Sequence, residues 1–399
     1  MEEDVDRIIS KISEDKVVML TKKFVQFDTQ NPPGKEKELA QYLDELLRSL
    51  GLKTKILDFL PDRPNLFAEY KVKDEGKNFL FDGHLDTVPV GDPSLWTVDP
   101  FSGALKEDRV YGRGAADMKG SIAAFIHALE TLIDSGVKLD GNIRILLTSD
   151  EEISALGTKD FLGKGYSADA SIVGEPSCLE VNVAHKGVTR WKLRTLGKST
   201  HASTPEEGIN AIYGMAKVLN ELEKLAKSYS ISSREHPLLG KPTLNVGTIV
   251  GGTKDNIVPD FCEITIDRRL LPGDSVEDVE KEFNQILSKL ASQDPLLKFE
   301  LKLYHSHNPA ETPLKHPFVN LANLCVEKVL GVRRPVKGFQ ATTEMSHLVE
   351  AGIPSIILGA GDIKVAHTVD EYVPVDQLVN CAKIYSLIIL KYLGPSQQL

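Results

Sequence analysis

The chain has 399 residues, enough for two domains, and its 47 basic and 57 acidic residues give a net charge of −10 at pH 7. Nucleic-acid surfaces need a basic stripe and anionic membranes attract basic segments, so this charge argues against both partners. The N-terminal segment lacks the basic and apolar regions of a signal peptide, and no apolar run could span a bilayer. The four cysteines are far apart in the sequence. We therefore expect a cytoplasmic protein with reduced thiols.

The N-terminal half predicts a domain in which strands and helices alternate. Apolar residues at helical spacing predict one helix over residues 5–27 and another over residues 39–50, which Gly51 ends. The next elements are predicted in this order: strands at 53–59, 65–72 and 77–83, a helix at about 118–136, a strand at 142–149, a helix, and a strand at 169–175. This alternation indicates an α/β domain with a largely buried sheet.

The pattern changes after about residue 184. The predicted elements there are a strand at 191–197, a helix at 208–229, strands at 243–252 and 261–271, a helix at 275–292 and a strand at 298–305. Their β-α-β-β-α-β order is the ferredoxin-like plan. The α/β pattern then resumes with a strand at 354–361 and a closing helix at 376–393. We therefore predict a mixed-sheet α/β domain (1–184 and 309–399) with an inserted ferredoxin-like α+β module (185–308).

Carboxylates and imidazoles follow the ends of several predicted strands. The stretch LFDGHLDTVPV places His84 and Asp86 on one side of a strand that should be buried. Similar groups follow other strands or open a helix: Asp117, Asp150, Glu151, Glu152, Glu175 and His367. Ligands of open α/β sheets bind outside the carboxyl ends of the strands, and clustered carboxylates repel one another unless cations neutralise them. Imidazoles with carboxylates suit Zn²⁺, Co²⁺ or Mn²⁺, and a pair of ions needs a bridging carboxylate.

Each of these residues alone also has an ordinary structural explanation. His84 fits a core histidine, Asp117 a helix cap, the pair Glu151–Glu152 a solvated helix start and Glu175 a turn. Their recurrence at one kind of position favours a metal site. The segment GRGAAD does not favour a dinucleotide site, because Asp117 replaces the third glycine of that fingerprint and would repel a pyrophosphate.

Eight motifs, in this order, make the sequence similar to the M20 family of metallopeptidases and deacylases over nearly the whole chain: GHLDTVP, GRGAADMKGS, SDEE, GEP, HKG…GKSTHASTPEEGINAI, NIVPD, DRRLLPG and AHTVDE. The resemblance implies that His84, Asp117 and Glu175 hold one metal ion. It implies that Asp117, Glu152 and His367 hold a second, so that Asp117 bridges the two. Glu151 would be the general base, and Asp86 would orient His84.

The resemblance also implies that the inserted module is a lid and dimerisation domain. His201, in GKSTHAS, would stabilise the oxyanion in the active site of the other subunit of a homodimer. Asn256 and Arg269 would bind a substrate carboxylate, and Thr343 lies where the family has a substrate-contacting loop. Either Arg268 or Arg269 could face the site, since adjacent strand residues point in opposite directions, and we favour Arg269.

The function that the resemblance implies is cytoplasmic hydrolysis of the amide bond of an N-acyl amino acid by a two-metal enzyme of amino-acid biosynthesis. We expect the acetylornithine deacetylase or succinyl-diaminopimelate desuccinylase type, with Zn²⁺ or Co²⁺, or else Mn²⁺. A dipeptidase or carboxypeptidase of the same family is the alternative within the class. A non-catalytic binding module on the same fold is the alternative outside it. The intact Glu151 argues against that module, since a site that had lost its function would not need its base.

Overall fold

A computed structural model describes residues 2–395 and divides them into two units. The first unit consists of the residues up to Val183, of Thr312–Phe339, and of the residues from Thr343 onward. The second consists of Ala184–Glu311 and Gln340–Thr342. A long stretch of chain is therefore inserted into the first unit. Among the described residues, no helix combines the length and the apolar character needed to cross a membrane.

The first unit contains the N-terminal elements and the C-terminal ones. The elements before the insertion are α1 (Glu2–Lys11), α2 (Glu14–Val25), α3 (Lys37–Ser49), β1 (Lys53–Leu60), β2 (Arg63–Tyr70), β3 (Lys77–His84), β4 (Ala104–Lys106), β5 (Arg109–Tyr111), α4 (Gly120–Asp134), β6 (Gly141–Thr148), α5 (Leu156–Gly163), β7 (Ala170–Val173) and β8 (Asn182–His185), which runs on into the second unit.

The insertion and the C-terminal part of the chain complete the list of elements. The inserted elements are β9 (Gly187–Leu196), α6 (Ala211–Ile231), β10 (Thr243–Gly251), β11 (Phe261–Leu270), α7 (Val276–Gln293), β12 (Lys298–His307) and β13 (Ala310–Glu311). The elements after the insertion are α8 (Pro317–Leu330), β14 (Lys337–Phe339), α9 (Met345–Glu350), β15 (Ser355–Ile357), β16 (Tyr372–Pro374) and α10 (Val375–Leu393).

A mixed sheet forms the centre of the first unit, with strands in the order β1-β2-β6-β3-β7-β15-β8 and with β14 also paired to β8. The four adjacent strands β6, β3, β7 and β15 are parallel, so their carboxyl ends meet at one edge. Helices α4 and α10 pack against each other. Phe81 of β3 stacks on Phe125 of α4 with ring centroids 4.1 Å apart, and Tyr385 of α10 packs against both rings. Burial of such apolar side chains stabilises the unit.

The predicted single helix over residues 5–27 is two helices in the structure. Ser13 lies between α1 and α2, and its hydroxyl oxygen accepts the main-chain N–H of Lys16 as the N-cap of α2. The main-chain N–H of Ser13 donates to His127 Nε2 at 2.9 Å. A contact between residues so far apart in the chain has no signature in helical periodicity, which explains why the sequence predicted one continuous helix.

The second unit has the strand order β10-β11-β9-β12, and all three pairings are antiparallel. This is the order of a ferredoxin-like sheet, so the predicted fold class is confirmed: a mixed α/β domain with an inserted α+β module. Alternate residues of β9 and β11 are buried against α6 and α7. Trp191 of β9 meets Phe283 of α7 edge-on, with ring centroids 5.7 Å apart.

Candidate active site

The parallel strands bring most of the predicted site residues to one edge of the sheet. His84 is the last residue of β3, Glu151 and Glu152 follow the end of β6, and Glu175 follows the end of β7. His367 comes from the long segment after β15. Because neighbouring parallel strands end together, residues far apart in the chain become neighbours in space.

Asp117 reaches the same place from the irregular segment before α4. The next residue, Met118, is fully buried, and its side chain packs against two glycines, Gly83 of β3 and Gly174 after β7. A Cβ atom would lie 2.8 Å from Met118 Cε at Gly83 and 2.5 Å from it at Gly174. Glycine at both positions therefore leaves room for the buried side chain of Met118, the residue next to Asp117.

The two carboxylate oxygens of Asp117 face two different imidazoles. Oδ1 lies 3.0 Å from His84 Nε2, and Oδ2 lies 3.4 Å from His367 Nε2. Glu175 Oε1 is 3.6 Å from His84 Nε2, and Glu152 Oε2 is 3.1 Å from His367 Nε2. The side chains thus form two groups that share Asp117, and they are the two groups predicted to hold metal ions.

Side-chain atoms of His84, Asp117 and Glu152 that could bind a metal ion lie within 4.8 Å of one another, and so do those of His84, Glu151 and Glu175. Glu151 therefore lies beside the predicted ligands. His367 differs from the others because its side chain is 52% exposed and its φ of 62° is in the left-handed region, where a non-glycine residue is strained. Such strain is common where the surrounding structure fixes a functional side chain.

Asp86, which is predicted to orient His84, contacts the imidazole through its main chain. The main-chain oxygen of Asp86 is 2.9 Å from His84 Nδ1, and the nearest carboxylate oxygen is 3.8 Å from that atom. A proton on Nδ1 that is donated to this oxygen leaves the Nε2 lone pair facing the carboxylates, as a metal ligand requires.

The carboxylate of Asp86 instead holds the segment that carries the two glutamates. It accepts the main-chain N–H groups of Glu151 at 3.1 Å and of Glu152 at 3.2 Å. Asn31 Nδ2 donates to the same carboxylate at 2.8 Å and to Asp150 at 3.0 Å. Asn31 was not among the predicted site residues, and the signal in the sequence was its place at the start of the turn segment NPPG.

The electrostatics of the site show an excess of negative charge. Burial raises the pKa of Glu151 and of Glu175 well above the ordinary value, and neighbouring carboxylates add to both shifts. Burial lowers the pKa of His84, but Asp117 and Glu175 more than offset this and raise that pKa well above its usual range. Hydrogen bonds to Asp117 and Glu152 raise the pKa of His367 to about 10.

A pair of divalent cations fits this set of donors. Four carboxylates, those of Asp117, Glu151, Glu152 and Glu175, surround two imidazoles, and the nitrogen and oxygen atoms are the ligands that zinc and related ions prefer. Cations at this place would offset the repulsion that raises the carboxylate pKa values.

The second unit brings two of its predicted site residues together. The segment around His201 pairs with the segment around Asn256: Ala202 N donates to Asn256 O at 3.1 Å, and Val258 N donates to Thr200 O at 2.9 Å. The imidazole of His201 is exposed, and the main-chain N–H of Ser203 donates to its Nδ1. A neutral ring then carries its hydrogen on Nε2, which leaves an N–H group available to donate to a ligand.

Arg268 and Arg269 have different environments. Arg268 is 2% exposed, and its guanidinium lies over the ring of Tyr229 at 4.2 Å and donates to the hydroxyl of Tyr229. Arg269 is one-third exposed and pairs with Asp267 at 2.8 Å. Arg268 is therefore part of the packing of the second unit, whereas Arg269 keeps donors for a ligand.

Thr343, in the first unit, is fully buried. Its hydroxyl oxygen accepts the main-chain N–H of Met345 at the start of α9. The structure thus gives this residue a place in the packing of a helix start, and contact with a substrate stays a prediction.

The mixed sheet, the inserted module and the grouped imidazoles and carboxylates define a metal-dependent hydrolase of amide bonds. The sequence model of Peptidase family M20/M25/M40 matches residues 80–391. The chain belongs to that family.

Two relatives are similar over most of their length. The acetylornithine deacetylase of Edwardsiella ictaluri (strain 93-146) is 35% identical, over 86% of this chain and 88% of the relative. The N-formyl-4-amino-5-aminomethyl-2-methylpyrimidine deformylase of Bacillus subtilis (strain 168) is 27% identical, over 98% of each chain.

Solved structures share the fold. Aminopeptidase PepT from Bacillus cereus ATCC 10987 has a TM-score of 0.79 at 22% identity, over 95% of this chain and 98% of that one. YXEP of Bacillus subtilis, described as a dinuclear metal binding peptidase of the M20 family, has a TM-score of 0.72 at 16% identity, again over 95% and 98%.

Proposed function

We propose that the protein removes the acyl group from an N-acyl amino acid, as an acetylornithine deacetylase or succinyl-diaminopimelate desuccinylase does, with two Zn²⁺ or Co²⁺ ions. The observation that carries the two-metal site is the position of Asp117, whose oxygens face His84 and His367 separately. The names of the two relatives support removal of an acyl group, since one is a deacetylase and the other a deformylase, and the name of the deacetylase supports an amino-acid substrate. The four cysteines are free thiols, which agrees with a cytoplasmic protein.

In this proposal His84, Asp117 and Glu175 hold one ion, and Asp117, Glu152 and His367 hold the other. When bound, the two ions would lower the pKa of a water molecule and polarise the substrate carbonyl. Glu151 takes a proton from the attacking water and delivers it to the leaving amine nitrogen as the C–N bond breaks. The carboxylate of Asp86 accepts the main-chain N–H of Glu151 and so keeps Glu151 in place. His201 donates a hydrogen bond from Nε2 to the oxyanion that develops on the carbonyl.

A panel of substrates tests this proposal directly. It contains N-acetyl amino acids, N-succinyl amino acids and dipeptides, each assayed with Zn²⁺, Co²⁺ and Mn²⁺. We expect the highest kcat/KM for an N-acyl amino acid. Preference for dipeptides would instead identify a dipeptidase or carboxypeptidase, and binding of metal without hydrolysis of any substrate would identify a binding protein.

Arg269 is proposed to bind the substrate carboxylate, so Arg269→Ala should raise KM by about 10–100-fold with little change in kcat. The loss of one hydrogen bond to a charged group, about 1.5–3 kcal/mol, sets this range. The measurement compares an N-acyl amino acid with its carboxamide, and the variant should lose the preference for the acid. Arg194→Ala is the matched control, because Arg194 pairs with Glu263 near the opposite end of β11. An unchanged KM in Arg269→Ala would remove the residue from this role.

The position of His201 supports a dimer. His201 follows β9 and lies beside the residues that lead into β11, whereas Arg269 lies near the other end of β11. Phe261 and Arg269 are eight residues apart on this strand, about 26 Å. One small substrate cannot contact both ends of a sheet of this length. Two copies of the chain could contribute one end each.

The edge strand β10 offers a surface for such a second copy. It pairs only with β11 among the strands of its sheet, and Ile249 and Val250 are 55% and 63% exposed on it. An unpaired edge with exposed apolar side chains favours association with another chain.

Mixing two inactive variants tests whether His201 acts across the dimer. Glu151→Gln lacks the base and His201→Ala lacks the oxyanion donor, so each homodimer should be nearly inactive. A mixed dimer contains one site with an intact Glu151 and a partner chain with an intact His201, and it should recover up to half of the activity per dimer. If mass spectrometry confirms subunit exchange and no activity returns, His201 does not serve the other subunit.

A further inference from the structure

Glu371 is a buried carboxylate that the proposed mechanism does not use. The residue is 1% exposed. Its Oε1 accepts the main-chain N–H of Ala116 at 3.0 Å and of Asp117 at 3.1 Å, and its Oε2 accepts from Arg113 Nη1 at 2.6 Å. All three donors come from the glycine-rich segment that presents Asp117.

The same arrangement occurs at the other irregular segment of the site. Asp86 accepts two successive main-chain N–H groups, those of Glu151 and Glu152, and Asn31 supplies the third donor. Irregular segments leave main-chain N–H groups without partners in a helix or sheet, and a buried carboxylate satisfies two of them at once. Each of the two segments is thus fixed by a carboxylate from elsewhere in the chain.

Glu371 also joins the two halves of the proposed metal site. It lies four residues after His367, and its main-chain oxygen accepts the N–H of Gly112 at 2.9 Å. Arg113 in turn is 2% exposed, and its guanidinium lies 5.2 Å from the ring of Trp96. The segments that carry His367 and Asp117 are therefore connected through Glu371 in two places.

We propose that Glu371, with Arg113 as its counter-ion, is a positioning residue that orients Asp117 so that its two oxygens face His84 and His367. This inference rests on the proposed two-metal site. Asp117 can serve two ions only if its carboxylate lies between the imidazoles, and the N–H of Asp117 is one of the groups that Glu371 holds.

The test is a metal titration of Glu371→Gln. Glutamine has nearly the same shape, but its NH₂ group must face either the two main-chain N–H groups or Arg113, and both contacts are between donors. We expect the affinity for Zn²⁺ and Co²⁺, measured by competition with a chelator, to fall about 10–100-fold. Replacement of residues that hydrogen-bond to metal ligands commonly has an effect of this size. The turnover number should fall over the same range with little change in KM.

Two further variants keep the test decisive if Glu371→Gln folds poorly. Glu371→Asp retains the charge on a shorter side chain, and Arg113→Lys retains the counter-ion without its forked geometry, so both should weaken metal binding less. The matched control is Glu69→Gln, which breaks the partly buried pair between Glu69 and Arg144 on β2 and β6. It should lower the melting temperature and leave metal affinity unchanged.

Thermal unfolding separates positioning from a merely structural role. A structural role lowers Tm equally with and without metal, whereas a positioning role reduces the increase in Tm that added Zn²⁺ produces. An unchanged metal affinity in Glu371→Gln, or an unchanged Tm increase, would overturn the inference. Because the titration needs no substrate, it decides this point even if the substrate panel contradicts the proposed deacylase.

Discussion

Glu151→Gln should bind metal nearly normally and lose turnover by about 10²–10⁴-fold. Glutamine keeps the size of the side chain and removes the proton acceptor. The main-chain N–H of Glu151, which Asp86 holds, is unaffected by the change. The measurement is kcat on the best substrate of the panel, together with the metal content of the purified variant.

Glu69→Gln serves as the control for this experiment as well, since it removes a carboxylate far along β2 from the site and should leave kcat unchanged. Turnover near the wild-type value in Glu151→Gln would show that another group accepts the proton.

Asp117→Ala should have the largest effect on metal binding. The two oxygens of Asp117 face the two imidazoles, so its loss should weaken the binding of both ions. We expect a decrease of more than about 100-fold, which is the upper value for replacing residues that hydrogen-bond to metal ligands. His84→Ala and His367→Ala each remove a ligand of one proposed ion. After equilibration with a weak chelator, metal analysis should therefore find less metal in Asp117→Ala than in either histidine variant. Two equivalents per chain in Asp117→Ala would contradict the bridging role.

The sequence predicted that the site residues lie close together, because several of them come at the end of an apolar segment. His84 ends one buried strand, Glu151 and Glu175 come shortly after two others, and parallel neighbours bring such ends together. Several short strands of the first unit were not predicted, among them β4, β5 and β16. β4, β5 and β16 form a separate small sheet, and three residues are too few to show an alternating pattern.

The supporting contacts could not be predicted, because they depend on side-chain orientation and on whether main-chain or side-chain atoms make each contact. Asp86 was recognised, but only the structure shows that its main chain contacts His84 while its carboxylate holds two N–H groups. Glu371 lay inside a quoted motif and was passed over, because nothing in the residue type distinguishes a positioning carboxylate from a surface one. The choice between Arg268 and Arg269 depended on Tyr229, which is distant in the sequence.

The contact of Met118 with Gly83 and Gly174 has a consequence for attempts to change what this enzyme accepts. Neither glycine carries a functional group, yet a methyl group at either position would have to displace the buried side chain of Met118 next to Asp117. Substitutions at these two sites should therefore lower activity by repacking the core beside Asp117, although neither residue binds a ligand. A library aimed at new substrates should vary the exposed loops and keep these two backbone positions fixed.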